Sequence, residues 1–171
     1  MNNNGRIILK DFTGDNKVEV ESSFNAIYNA YYRLVYFVSL DVTKNNEDSK
    51  DIVNETFFKL YENRKKMKDV NGIKYYLVVT AKNLSINLIN KMKRETVFND
   101  DISVSSEELL IDSFLEKFKE YLDKEELKIL VYHLIYELGF REISELTGIS
   151  INTISSKYRR AVNKLKEHYK E

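Results

Sequence analysis

A chain of 171 residues with no cysteine and no proline has room for one or two small cores, but not for disulfides, thiolate metal sites or a large enzyme. No apolar run reaches membrane-spanning length and the start Met-Asn-Asn-Asn is no signal peptide, so a cytoplasmic protein without membrane insertion is expected. The 27 basic and 27 acidic groups cancel overall but fall in blocks: residues 59–95 hold ten basic and three acidic, 96–126 three and ten, 127–171 eight and five. Two basic segments flanking an acidic middle suit a nucleic-acid binder with two contact surfaces.

Along the chain, residues 1–21 mix charge, Gly14 and a short Ile7-Ile8-Leu9 run, which reads as a loosely held N-terminal arm. A helix is expected from Ser22 or Ser23, with Phe24, Ile27, Tyr28, Tyr31, Val35, Val38 and Val42 inward at helical spacing. Asn45-Asn46 breaks it and caps the next helix, whose first turn is acidic (Glu47, Asp48, Asp51), as the helix dipole prefers. That helix buries Ile52, Val53, Phe57 and Leu60 and leaves Asp51, Asn54, Glu55 and Glu62 opposite. Taken on composition alone, such a face is solvated. A basic loop over 64–72 leads to a third helix with Ile73, Tyr76, Leu77, Ala81, Leu84, Leu88 and Met92 inside. Lys74, Tyr75, Lys82, Asn83, Asn87, Asn90, Lys91, Lys93 and Arg94 are left outside or at its margin. Basic groups attract phosphate, amides read base edges and exposed rings stack on unpaired bases, so melted or single-stranded DNA suits this unit. At least one of the pair Tyr75 and Tyr76 is expected in the core.

Residues 96–107 are polar, acidic and aperiodic, the pattern of a flexible linker. Ser106 opens a helix through Leu122, and Asp123 with Glu126 forms a capping box for another, Glu125 to Leu138. Its Leu127, Leu130, Val131, Leu134, Ile135 and Leu138 are the expected core of the second unit. Gly139 then ends that pattern and a short helix carries Ile143 and Leu146 inward. Gly148 supplies a turn, Ser150 an N-cap, and the last helix places Ile151, Ile154, Tyr158, Ala161, Val162 and Leu165 on one stripe. Asn152, Thr153, Ser155, Ser156, Lys157, Arg159 and Arg160 occupy its other face. A short helix, a tight turn and a longer helix with a basic, polar face make a helix-turn-helix, whose second helix can enter the DNA major groove. The expected fold is all-α: a 22–95 bundle and a 108–171 helix-turn-helix domain on a 96–107 linker.

Three stretches resemble a known family. Ser49–Leu60 resembles the polymerase-binding helix of bacterial sigma factors, Tyr76–Asn87 their promoter-melting helix, and the segment from Gly139 onward their −35-reading helix-turn-helix. Order, acidic linker and size resemble the extracytoplasmic-function group, which keeps sigma regions 2 and 4. The resemblance implies that Asp51, Asn54 and Glu55 meet the clamp helices of the largest subunit of core RNA polymerase. It further implies that Asn83 and Asn87, with Tyr75, Tyr76 and Lys82, contact the −10 element of promoter DNA, and that loop 64–72 holds a flipped base. Asn152, Thr153, Ser155, Ser156, Arg159 and Arg160 would approach the −35 bases, with Lys157 on phosphate. An anti-sigma protein is a partner class the resemblance leaves open; no cofactor is implied. The chain departs from the usual pattern in having Tyr76 for Trp, Thr80 for Ile, Asn90 for Arg, Ser155 for a basic residue and Asn54 for Gln.

Two other classes compete. An enzyme would need a reactive constellation, whereas His133 and His168 stand alone without a glycine-rich phosphate loop or ligand-spaced cluster. A free-standing regulator binding duplex DNA as a dimer fits the helix-turn-helix equally well, but leaves the basic segment 59–95 without a purpose.

Overall fold

Asparagine side chains start the two central helices of the first unit. In the computed structural model, which describes residues 3–95 and 118–168, Asn16 accepts a hydrogen bond from the Val18 amide (3.1 Å) and opens α2, Lys17–Thr43. Asn45 accepts from the Asp48 amide (3.1 Å) and opens α3, Asn46–Glu62. Lys44, in the left-handed region at φ 56°, makes the corner between them. A 3₁₀ turn at Arg64–Lys66 leads to α4, Val70–Glu95, whose start is capped by the Asp69 carboxylate accepting from the Gly72 amide (2.7 Å). Among the described residues every regular element is helical, and the chain divides into two compact units, Met1–Val104 and Ser105–Glu171.

Helices α2, α3 and α4 pack on one another around Ile27, Leu34, Val35, Val38, Val53, Phe57, Leu60, Ile73, Leu77 and Ala81, all buried. Removing each large apolar side chain from water contributes about 1.5–3 kcal/mol, which is what holds three helices of mixed charge together. The expected inner stripe of α4 is rotated toward its far end. Val78 and Ser85 are buried, Leu84 and Leu88 are half-buried, and Met92 is exposed. Ser85 is tolerated inside because its hydroxyl donates to the Ala81 carbonyl (2.8 Å).

The N-terminal segment is not the loosely held arm expected of it. Residues Asn3–Thr13 form a helix, α1, that packs against α2, the 3₁₀ turn and α4. Its Phe12 is fully buried and stacks on Phe24 at 6.2 Å between ring centroids. Accordingly α2 starts at Lys17 and buries Val20 and Ser23, ahead of the expected start at Ser22 or Ser23.

In the second unit the capping box at Asp123 is present: its carboxylate accepts from the amides of Glu125 and Glu126, and Glu126 Oε2 accepts from the Asp123 amide. The helix it opens, α5, runs Lys124–Leu130 and then widens to a π turn over Val131–Ile135 rather than continuing to Leu138. Glu137, at φ 53°, reverses the chain, and the Leu138 amide reaches the Tyr132 carbonyl (2.9 Å). This rotation leaves Leu134 and Ile135 exposed, against expectation, and puts Ile129 and Tyr132 in the core with Leu130, Val131 and Leu138. Helices α6, Phe140–Thr147, and α7, Ile151–His168, complete the unit around Ile143, Ile154 and Ala161. Ile151, expected inside, is exposed in the first turn of α7. The expected linker 96–107 and most of the expected helix Ser106–Leu122 lie outside the described residues.

Candidate nucleic-acid interface

Three polar surfaces remain once both cores are closed. On α3, Asp51, Asn54 and Glu55 are exposed, as is Glu62. Helical spacing adds Phe58 to the same stripe, with more than half of its surface in solvent (57%). Glu55 is engaged by Lys59 at 2.9 Å, an exposed i, i+4 pair. This pairing holds the Lys59 ammonium above its ordinary pKa, through the Glu55 hydrogen bond first and charge second. The sequence had marked the acids but not the phenyl group, since an apolar residue beside Phe57 reads as core.

On α4, the two tyrosines separate. Tyr75 is exposed, while Tyr76 is half-buried, its hydroxyl donating to the Lys59 carbonyl (3.3 Å) and within 3.3 Å of Asn63 Nδ2. Both line an open hollow of about 400 Å³, together with Lys66, Met67, Lys68, Asp69, Gly72, Val79 and Thr80. Asn83 and Asn87 are exposed and stand seven and eleven residues beyond Tyr76, a spacing that keeps them on its stripe. The two amides stand further along α4 than Thr80, the last residue lining the hollow. Lys82 sits half-buried at the margin.

On α7, Gly148 at φ 77° makes the tight turn, with its amide bonded to the Ser144 carbonyl (2.8 Å). Ser150 caps the helix by accepting from the Thr153 amide (3.2 Å), and the two hydroxyls pair at 2.8 Å. Asn152, Ser155, Ser156, Arg159 and Arg160 form an exposed stripe at intervals of three and four, which Asn163 extends. Asn163 went unmarked in the sequence because it lies near the end of the helix, past the basic pair. Behind the stripe, His133 packs on Phe140 and Tyr158, and its Nδ1 lies 2.8 Å from the Leu138 carbonyl oxygen, a structural role.

Lys157 does not join that stripe. Its side chain is only 17% exposed, with Nζ 3.0 Å from Glu125 and 3.6 Å from Asp123 at the start of α5. The Glu125 hydrogen bond holds its pKa above the ordinary value. Reciprocally, the amide of Glu126, and then the charge of Lys157, hold the Asp123 carboxyl below its ordinary value. Lys157 thus ties α7 to α5. Lys164 does the same two turns further on, bonding buried Glu126 at 2.7 Å.

Two family models match the two units separately: sigma-70 region 2 over residues 27–95 and sigma-70 region 4 over residues 115–165. The chain belongs to the sigma-70 family. The curated relatives it resembles include the ECF RNA polymerase sigma factor SigM of Bacillus subtilis (strain 168), 26% identical over 86% of this chain and 95% of that one. Another is the RNA polymerase sigma factor SigV of the same organism, 25% identical over 77% of this chain and 80% of that one. Among solved structures, the fold is similar to the sigma factor RpoE from Bartonella quintana, co-crystallised with the anti-sigma factor NepR. That match has a TM-score of 0.56 at 18% identity and covers 84% of this chain and 94% of the other.

Proposed function

We propose that this sigma factor binds core RNA polymerase and directs it to promoters, opening the −10 element with its first unit and reading the −35 element with its second. The observation that carries this reading is the hollow beside Tyr75 and Tyr76 continued by Asn83 and Asn87. Rings, amides and flanking lysines are what a displaced single strand requires: stacking surface, edge readout and phosphate attraction. A duplex-binding regulator has no use for such a surface. On the second unit, Arg159 and Arg160 with Asn152, Ser155 and Ser156 have the side-chain types that read major-groove edges.

The α3 face supplies the polymerase contact in this reading. Asp51, Asn54 and Glu55 provide a polar, acidic rim and Phe58 an apolar centre, the usual anatomy of a docking surface. Two weak DNA contacts on one chain become promoter-specific when polymerase holds both in register. An anti-sigma protein is the further partner class carried over from the RpoE structure. Gel-shift assays with and without core polymerase on genomic fragments test the proposal. Sequence-specific complexes should form only with polymerase present, whereas tight operator-like binding by the protein alone would favour the free-standing regulator.

A further inference from the structure

We infer that α1 is a brace for the strand-capturing hollow and that Phe12 is its positioning residue; the inference rests on the proposed role of that hollow. Residues 3–26, which contain α1, lie outside the region 2 match. The helix nevertheless touches the 3₁₀ turn and α4, the two elements that flank the hollow. A chain of ring contacts connects them. Fully buried Phe12 stacks on Phe24, Phe24 meets the edge of Tyr61 at 5.5 Å, and the Arg64 guanidinium lies 4.8 Å over the Tyr61 ring. Arg64 opens the turn whose last residue, Lys66, begins the wall of the hollow.

A second tie runs over the surface, where Asp15 Oδ1 meets Lys65 Nζ at 2.6 Å. Both partners are largely in solvent, so this pair contributes little energy. It orients the turn, while the ring chain sets its position. The turn has no buried residue of its own, and its lysines would otherwise repel one another. Without α1, Arg64 loses its indirect support and Lys66 to Asp69 lose a fixed wall position. A small misplacement of groups that hold a ligand is costly when the ligand must be held against restacking.

The test uses the polymerase-bound protein and a promoter fragment with an unpaired −10 region, selected by run-off from genomic fragments. Capture of the unpaired strand, duplex −35 binding and polymerase affinity are measured for Phe12→Ala and Phe12→Leu. Capture should fall about tenfold in Phe12→Ala and about threefold in Phe12→Leu, the range of positioning effects. Polymerase affinity and −35 binding should stay unchanged. If Phe12→Ala does not fold, the graded test rests on Phe12→Leu, which keeps apolar bulk. Wild-type capture in the folded variants overturns the inference, as does a parallel loss of all three activities, which would mark general destabilisation. Failure of the unmutated holoenzyme to capture the strand would overturn the proposed function itself.

Discussion

Lys157 and Arg160 stand one turn apart on α7, yet the structure assigns them opposite consequences. Arg160 is exposed on the stripe proposed to meet the −35 element, so Arg160→Ala should remove one charge-assisted contact worth about 1–3 kcal/mol. This corresponds to roughly a 5- to 150-fold loss in −35-dependent binding, with no change in folding. Lys157 instead bridges Glu125 and Asp123 at 3.0 and 3.6 Å. Two half-exposed carboxylates make it an ordinary ion-pair cluster, so Lys157→Ala should cost about 0.5–1 kcal/mol of stability. For a unit of this size that lowers the melting temperature by roughly 2–8 °C. Circular dichroism melts of both variants and holoenzyme binding to a −35 duplex at 10 °C, where both are folded, separate the effects. A Lys157→Ala protein that melts normally but loses −35 binding as fully as Arg160→Ala would refute this reasoning.

The other predictions concern different links. Asn83→Ala with Asn87→Ala should slow promoter opening while sparing polymerase binding, and permanganate footprinting of the −10 thymines would show normal reactivity if the assignment were mistaken. Because the Asp123 carboxyl titrates below its unfolded value, its stabilisation is present above the usual carboxylate range and lost as the pH falls through the lowered folded value. An acid titration of the melting temperature should therefore be shallower in Asp123→Asn than in the parent, and identical curves would deny the contribution. Gly148→Ala meets no atom within 4 Å, so its cost, about 1 kcal/mol, should come from φ 77° alone. A cost near zero in denaturant titration would mean that the turn relaxes.

Much of this architecture was legible because local chemistry and long-range packing agree. The caps at Asn45, Asp123 and Ser150 and the turn at Gly148 each satisfy backbone groups within a few residues, and a sequence window contains all the partners. What escaped was set by contacts far along the chain. Phe12 looks isolated in a charged, asparagine-rich stretch, and its partners, Phe24 among them, lie on elements further along the chain. Asn16 is a local exception: its cap on the Val18 amide is hidden because the residues after it alternate charged and apolar side chains rather than showing a clear helical stripe. The π turn after Leu130 has no local signature; it follows from the reversal at Glu137 and the Leu138 to Tyr132 hydrogen bond. The candidate site was readable by type rather than orientation. Lysine on a recognition helix reads as a phosphate contact, and only the acids at the start of α5 turn Lys157 inward. Phe58 escaped for the opposite reason, an apolar side chain left on a polar face.

The central claim, that the α3 face couples this chain to polymerase, is tested most directly by charge reversal. In run-off transcription with core polymerase, Asp51→Lys with Glu55→Lys reverses the charge of the proposed docking face, a cost of several kcal/mol if its complement is basic and the contact desolvated. The fold should tolerate both changes, because both positions are exposed and the Glu55–Lys59 pair is a solvent-screened surface pair that adds little to stability. The account predicts a folded protein that neither co-elutes with core polymerase nor directs any transcript. Full-length transcript at the unmutated level from the double variant would contradict it.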